Sequence, residues 1–356
     1  MRAFAVLQDA PTIIEIELPS QPPTGTEIVL DVIRSGVCHT DMHLRSGAYD
    51  LGSRGEMRLV DRGIPYPLVM GHEVVGRVVA VGDGVDDIAP GDIRLVFPWL
   101  GCGACAACLD DQENACARGR NIGVARPGGY AEQIVVPHPR YLLDIGALDL
   151  SWAATLACSG LTAFSAVRKA LPASPDDPVV VIGAGGVGLM AVSVLSVLGH
   201  HNIGVVDLAE GNLALAVERG AHWTVLSARD DVRPAVAAAG GGPLAASIDF
   251  VNTGVTASLA FDSLAKGGRM VQVGLFGGEF VLPTALLALK MVTIQGSFVG
   301  SLGELRELVE LAQTGKLPDV PTLAGQLTAD GVGAALDRLA SGGVPGRIVL
   351  QPVSQS

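Results

Sequence analysis

The sequence predicts an α/β protein in two parts, a β-rich barrel-like domain followed by a doubly wound parallel sheet, and three observations predict it. Apolar and polar residues alternate at Ile14, Ile16 and Leu18 and again at Ile28, Leu30 and Val32, the period of half-buried strands. Further β-rich runs at 74–81, 93–97 and 131–136 extend this character to about residue 150, with Pro and Gly punctuating 19–25. Beyond about residue 160, short β-branched runs at 179–182, 203–206, 223–226, 248–251, 269–273 and 292–294 alternate with helix-like segments such as 186–198, 212–219 and 256–266. Strand alternating with helix at this spacing predicts a parallel sheet with helices on both faces. The third observation is a glycine cluster, GAGGVG at 183–188, placed between the first of these strands and its helix. Ser301 and Glu304 form a capping box before a helix over 301–314, and a last strand is expected at 347–351. The Ala/Gly run 235–242 reads as a loop-like helix end.

Composition narrows the function classes. A chain of 356 residues with 49% hydrophobic and 17% charged residues has material for two packed cores and is not a disordered polymer. A formal charge of −12 gives no footprint for nucleic acid or an anionic membrane. Residues 179–199 carry no charge and are long enough to span a bilayer. The glycines in their midst favour a buried strand and helix instead. The N-terminal MRAFAVLQDA has one Arg and a short apolar run, unlike a secretory leader, so a cytoplasmic protein is expected.

Gly183, Gly185 and Gly188 form G-x-G-x-x-G, with Gly186 and Val187 opening the helix. Alone the motif is weak, but after a strand and before a helix it lets the backbone turn tightly and approach a pyrophosphate on the helix N-terminus. Asp207 ends the next strand, 24 residues after Gly183. A carboxylate there accepts the ribose hydroxyls and repels a 2′-phosphate, and no Arg or Lys follows at once. NAD is therefore expected over NADP.

The six cysteines divide into two sets. Cys102, Cys105, Cys108 and Cys116 lie within 15 residues, the donor set of a closed, structural tetrahedral zinc; a redox dithiol or an iron–sulfur centre is the alternative. Cys38 and Cys158 remain, and with His72 they supply two thiolates and one imidazole, leaving a fourth position open as in a catalytic zinc site. Taken singly, each is more often a buried cysteine or core histidine than a ligand.

The phrases GVCHTDMH, GHEVVG, GCGACAAC…C, CSGLTA and GAGGVG, in this order, resemble the zinc-containing medium-chain alcohol dehydrogenases over essentially the whole chain. The resemblance implies a GroES-like catalytic domain, 1–159 and 298–356, interrupted by a Rossmann domain, 160–297. It implies a catalytic zinc on Cys38, His72 and Cys158, two zinc ions per subunit, and NAD. It also implies roles for other residues. Glu73 would be a carboxylate able to approach the metal, and Asp41 would orient the His72 ring. Thr40 would touch the substrate oxygen and His43 would pass the proton to solvent. Thr162 and Val187 would pack around the nicotinamide, Arg347 would reach the pyrophosphate, and His39 stands where some relatives carry Arg against it. The implied substrate is a small alcohol or carbonyl compound, and the implied assembly is a homo-oligomer, a tetramer in preference to a dimer. A polyol dehydrogenase, or a non-enzymatic cofactor-binding protein on the same fold, is the competing reading.

One feature departs from the family. Cys38 and His72 are separated by 34 positions, more than in the members this chain otherwise resembles, and the extra length falls at about 49–67. The expectation is that this insert reshapes the substrate pocket for a bulkier, cyclic or aromatic alcohol; a solvated surface or subunit contact is the alternative. Tyr49, Trp99 and Leu100 are candidate pocket walls, or ordinary core residues.

Overall fold

In the computed structural model, which describes every residue except 9, 172–173, 228–231, 343 and 354–356, the first part is organised around one long strand, Ile28–Val37. It lies inside a seven-stranded sheet, antiparallel to Glu73–Val81 on one side and to Arg347–Gln351 on the other, and Gln133–Val136 also pairs with it. The alternation read at Ile28, Leu30 and Val32 is the buried face of this strand. Register shifts between Val29 and Leu30 and between Val32 and Arg34 bend it, so that Gly36 pairs with Glu73 and Val37 with Ile348. That register delivers residues 38, 72–73 and 347 to one end of the sheet. Chain ends 300 residues apart thus share a sheet. A further strand, Thr322–Gln326, runs parallel to Arg347–Gln351 at the edge.

The second part is a six-stranded, all-parallel sheet in the order Trp223–Leu226, Ile203–Asp207, Val179–Ile182, Leu244–Asp249, Leu264–Gln272 and Thr293–Gly296. Strand order reverses beside Val179–Ile182, which is where a crevice opens at the carboxyl ends of such sheets. The apolar stretch 179–199 resolves into this buried strand and the helix Gly186–Val197. One helix, Leu150–Ala170, is long and apolar enough to cross a membrane, but 83% of its apolar window is buried inside the fold.

Sequence and structure differ at three places in this half. The Ala/Gly run forms most of a helix, Val232–Gly240, because alanine's helix propensity carries it to the terminal glycines. The helix expected to reach 266 stops at Asp262, and Leu264 already begins the next strand. The sequence also left 150–170 unassigned, since an apolar stretch buried on all sides has no amphipathic period to read.

The capping box at Ser301 is formed in both directions: Glu304 N–H donates to Ser301 Oγ at 3.2 Å and Ser301 N–H to Glu304 Oε2 at 2.8 Å. The helix it starts, Leu302–Gln313, buries Leu302, Leu305, Leu308 and Val309. Ser301→Ala should lower stability by about 1 kcal/mol, read as an earlier midpoint in urea denaturation.

Candidate functional site

Cys38 ends the central strand and caps the helix His39–Ser46. His72 lies just before Glu73–Val81, and Cys158 lies in a π-turn, Leu156–Gly160, inside the helix Leu150–Ala170. A π-turn widens the helix and leaves backbone groups without their usual partners. Both find other ones here: Ser159 N–H donates to Glu73 Oε1 at 3.1 Å, and Ala157 C=O accepts from the Trp99 indole at 3.0 Å.

The three candidate ligand atoms lie within 4.8 Å of one another, and all three residues are buried. Cys38 Sγ and Cys158 Sγ are 3.8 Å apart. Two sulfurs each about 2.3 Å from a tetrahedral zinc are separated by about 3.8 Å, so the spacing fits the metal. His72 Nε2 is buried without a hydrogen-bond partner among the described residues, as an imidazole nitrogen reserved for a metal would be. The two thiols divide one proton unequally. The hydrogen bond from Cys158, then His72 and Arg347, holds the Cys38 thiol well below its ordinary value. The same bond, with burial, pushes Cys158 well above.

Two carboxylates flank this cluster. Asp41 is fully buried and closes the capping box on Cys38, accepting its N–H at 2.9 Å. It also accepts from the Tyr130 hydroxyl at 2.9 Å and stands 3.4 Å from His72 Nδ1. A carboxylate on the far nitrogen leaves Nε2 facing the thiols. Burial works against a charged His72, but Asp41 prevails and raises its pKa well above the usual imidazole range. Glu73 points the other way, and burial pushes its carboxyl up against the opposing pull of Arg347. Gly36 is required beside it, because a Cβ there would lie 2.0 Å from Glu73 Oε2.

Arg347 stands between the ligand cluster and the glycine motif. Its guanidinium donates to Glu73 Oε1 at 2.7 Å and is 4% exposed. Its methylene stem lies against the phosphate-binding helix, where a Cβ on Gly186 would come within 2.6 Å of Cδ, and its Nε is buried with no hydrogen-bond partner among the described residues. The pairing with Glu73 has a physical reason, since a buried carboxylate without a cation is costly to leave unpaired.

Thr40 and His43 sit three residues apart on one helix, hence on one face, and both are half-buried. Burial lowers the His43 pKa. Tyr49, the first residue of the insert, stacks on His43 at 4.6 Å between ring centroids, and burial raises its own pKa to about 12. It is therefore a neutral wall against the histidine. Trp99 and Leu100 are 1% and 3% exposed; Trp99 packs 5.3 Å from the His72 ring and backs the ligand cluster, while Leu100 lies in the core beside the four-cysteine lobe. His39 is exposed, its ring 5.4 Å from Phe276 of the other half. Thr162 and Val187 are half-buried, Thr162 just beyond the π-turn and Val187 at the start of the glycine-motif helix.

In the glycine motif, Gly183 has φ +90° and Gly188 has no room for a side chain, since a Cβ would lie 1.8 Å from Gly183 O. Asp207 braces the turn, accepting from Ala184 N–H at 2.7 Å and from Asn212 Nδ2 at 3.0 Å. Cys102, Cys105, Cys108 and Cys116 converge as a second group, with Sγ–Sγ separations of 3.5, 3.7 and 4.0 Å that bracket the zinc tetrathiolate value.

Sequence reasoning missed Tyr130, the π-turn and the Arg347–Glu73 pair. These contacts join elements far apart in sequence, Asp41 with Tyr130, Glu73 with Ser159 and Glu73 with Arg347, and no local pattern reports them.

Comparison with known proteins agrees with this geometry. The model for the alcohol dehydrogenase GroES-like domain matches residues 24–146, and that for zinc-binding dehydrogenases matches 186–314. The NAD-dependent alcohol dehydrogenase of Sulfurisphaera tokodaii is 35% identical, covering 99% of this chain and 100% of its own. The crystal structure of the alcohol dehydrogenase from Aeropyrum pernix superposes with a TM-score of 0.88 at 30% identity, covering 99% of this chain and 100% of its own. The cobalt- and zinc-bound thermostable alcohol dehydrogenase of Pyrobaculum aerophilum gives 0.83 at 27% identity, with 99% of each chain covered.

Gly188→Ala should weaken NADH binding more than about 10-fold, because its methyl group must separate the phosphate-binding turn from its helix. Fluorescence titration with NADH measures it; unchanged affinity would contradict the placement of the dinucleotide here.

Proposed function

The chain belongs to the zinc-dependent medium-chain alcohol dehydrogenases, and from that membership we propose how its own residues carry out the NAD-linked oxidation of an alcohol to an aldehyde or ketone. The observation that carries the reading is the buried convergence of Cys38, His72 and Cys158 at the end of the sheet that also presents Thr40 and His43. When bound, zinc on those three ligands supplies Lewis acidity toward the alcohol oxygen, and NAD accepts the hydride. Asp41 holds the His72 ring in the orientation a metal requires. Glu73 keeps a second carboxylate beside the ligands, restrained by Arg347. Thr40's hydroxyl relays the substrate's hydroxyl proton, accepting it while releasing its own toward His43, which carries it to solvent and is kept neutral and receptive by its partial burial. The glycine turn and Asp207 bind the pyrophosphate and ribose, and Thr162 and Val187 shape the nicotinamide side. His39 contributes a weaker contact than an arginine would.

The insert supports a more elaborate substrate than a short primary alcohol. Residues 48–50 and 56–58 form a hairpin that crosses to the other half, where Ser53 N–H donates to Glu279 Oε2 at 2.7 Å. With Tyr49 at its base, the hairpin walls the cleft beside His43. We assign the substrate to bulky, cyclic or aromatic alcohols. We also propose a homo-oligomer, a tetramer over a dimer. Supporting this, Val281, Leu289, Met291 and Phe298 are each more than half exposed, around a strand, Thr293–Gly296, whose outer edge has no partner among the described residues.

NADH formation across primary, secondary, cyclic and benzylic alcohols tests the substrate assignment; a preference for ethanol over cyclic and benzylic alcohols would overturn it. Cys38→Ser should lower bound zinc from two ions per chain to one and reduce kcat/KM by more than about 100-fold. Tyr49→Ala exposes His43 and should raise its pKa toward the ordinary imidazole value. The acidic limb of the kcat/KM profile then moves to higher pH, while Tyr49→Phe leaves it in place. An unmoved limb in Tyr49→Ala would remove His43 from the proton path.

A further inference from the structure

Beside the four-cysteine lobe lies a second recess, a cavity of about 350 Å³ whose walls are cationic. Arg118, Arg120, Arg126 and His138 line it beside Cys102 of the four-cysteine set, with Leu100 and Tyr141 forming its apolar floor, and no Asp or Glu contributes to the lining. In a chain of net charge −12, with 36 carboxylates against 24 Lys and Arg, three guanidinium groups gathered without a carboxylate are an exception to be explained. Arg140 just outside takes up the neighbouring acids, pairing with Asp111 at 3.0 Å and Glu113 at 2.7 Å. Arg118 is committed to the lobe, its guanidinium 3.5 Å from Cys102 Sγ. Arg120 and Arg126 have no ion pair among the described residues, and Arg126 Nε is buried with no hydrogen-bond partner. A buried guanidinium donor left unmade is costly, and arginine cannot shed its charge.

We propose that this recess is an anion-binding site, separate from the dinucleotide crevice, for a phosphate or phosphomonoester group. The planar guanidinium groups of Arg120 and Arg126, both in the lining, suit the oxygens of a tetrahedral oxyanion. The volume exceeds that of one phosphate, and Leu100 and Tyr141 supply an apolar surface for an organic substituent. Leu100 also carries the site's consequence for the enzyme, since it adjoins Trp99, which backs His72. An occupied recess therefore touches the same segment that supports the catalytic ligands. The competing role for these arginines is to offset the negative charge of the four thiolates alone.

The test is calorimetric titration of inorganic phosphate, and in a second arm phenyl phosphate, into the zinc-loaded enzyme. Saturating NADH fills the dinucleotide site, and ionic strength is held with chloride. The expected result is one saturable site per chain, tighter for phenyl phosphate, weakened at least 10-fold in the double variant Arg120→Gln/Arg126→Gln. That variant should keep two zinc ions per chain and wild-type NADH affinity. Absence of saturable binding by the wild-type enzyme overturns the proposal, as does binding unchanged in the double variant. If the double variant instead loses the four-cysteine zinc, the single variant Arg126→Lys, which keeps the charge and loses the fork, decides. Weakened phosphate binding with zinc retained upholds the site, and unchanged binding refutes it.

Discussion

A single buried ion pair, Arg347 with Glu73, fixes how the two ends of this chain meet. Glu73 is fully buried, and Arg347, 274 residues later, reaches it from the last strand. Burying either charge alone costs several kcal/mol, so neither residue can occupy its place without the other. Glu73 follows the metal ligand His72 directly and accepts the amide of Ser159, which follows Cys158. Arg347 therefore stabilises, through one carboxylate, the backbone on which two of the three candidate metal ligands stand. The catalytic half is complete only when its two pieces, separated in sequence by the parallel sheet, meet.

That dependence explains what could be read in advance. The glycine motif, Asp207 and the structural cysteines are short-range devices. A tight turn or a four-thiolate lobe is specified by residue types at fixed spacing, whatever surrounds it. The convergence of Cys38, His72 and Cys158 was legible for a different reason: few residue types hold zinc, and each stands in a distinctive phrase. What was not legible came from packing across long separations. Nothing near Tyr130 says that its hydroxyl will fix Asp41, and nothing near Arg347 says that Glu73 will compete for it. The π-turn at 156–160 has a possible local sign in Gly160, but its partners, Glu73 and Trp99, come from other strands and loops. In the parallel half the errors lay at element ends, at 240 and 262–266, where alanine and leucine suit a helix and leave the boundary to tertiary contacts.

The insert shows the same division. Its presence is a matter of counting residues between Cys38 and His72, while its meaning depends on where the hairpin lands. It lands on both halves at once, through Tyr49 on His43 and Ser53 on Glu279. Gly277 is needed at this junction, since its φ is +93° and a Cβ would lie 2.7 Å from Asp50. A segment anchored on both sides of a cleft constrains its opening as well as lining it. The catalytic half and the coenzyme half are therefore coupled at the mouth of the site as well as at its buried end.

The two metal sites solve one electrostatic problem by opposite means. In the four-cysteine lobe two thiols are lowered mainly by the backbone: the N–H groups of Ala104 and Cys105 bring Cys102 down to about 6 and that of Cys108 lowers Cys105, while burial leaves Cys108 at about 11. Such a site is nearly self-contained, which is why fifteen residues suffice to specify it. The catalytic site is dry, has only two thiols, and draws its electrostatics from side chains, with Asp41 on His72 and Arg347 acting on both Glu73 and Cys38. Side chains on separate elements can be repositioned by whatever shifts those elements, whereas backbone amides in a tight loop cannot. A metal whose fourth position must open to substrate would benefit from adjustable side chains, and a metal that only holds a loop from fixed backbone amides. The placement of charge around each cluster thus separates catalytic from structural zinc as clearly as the number of cysteines does.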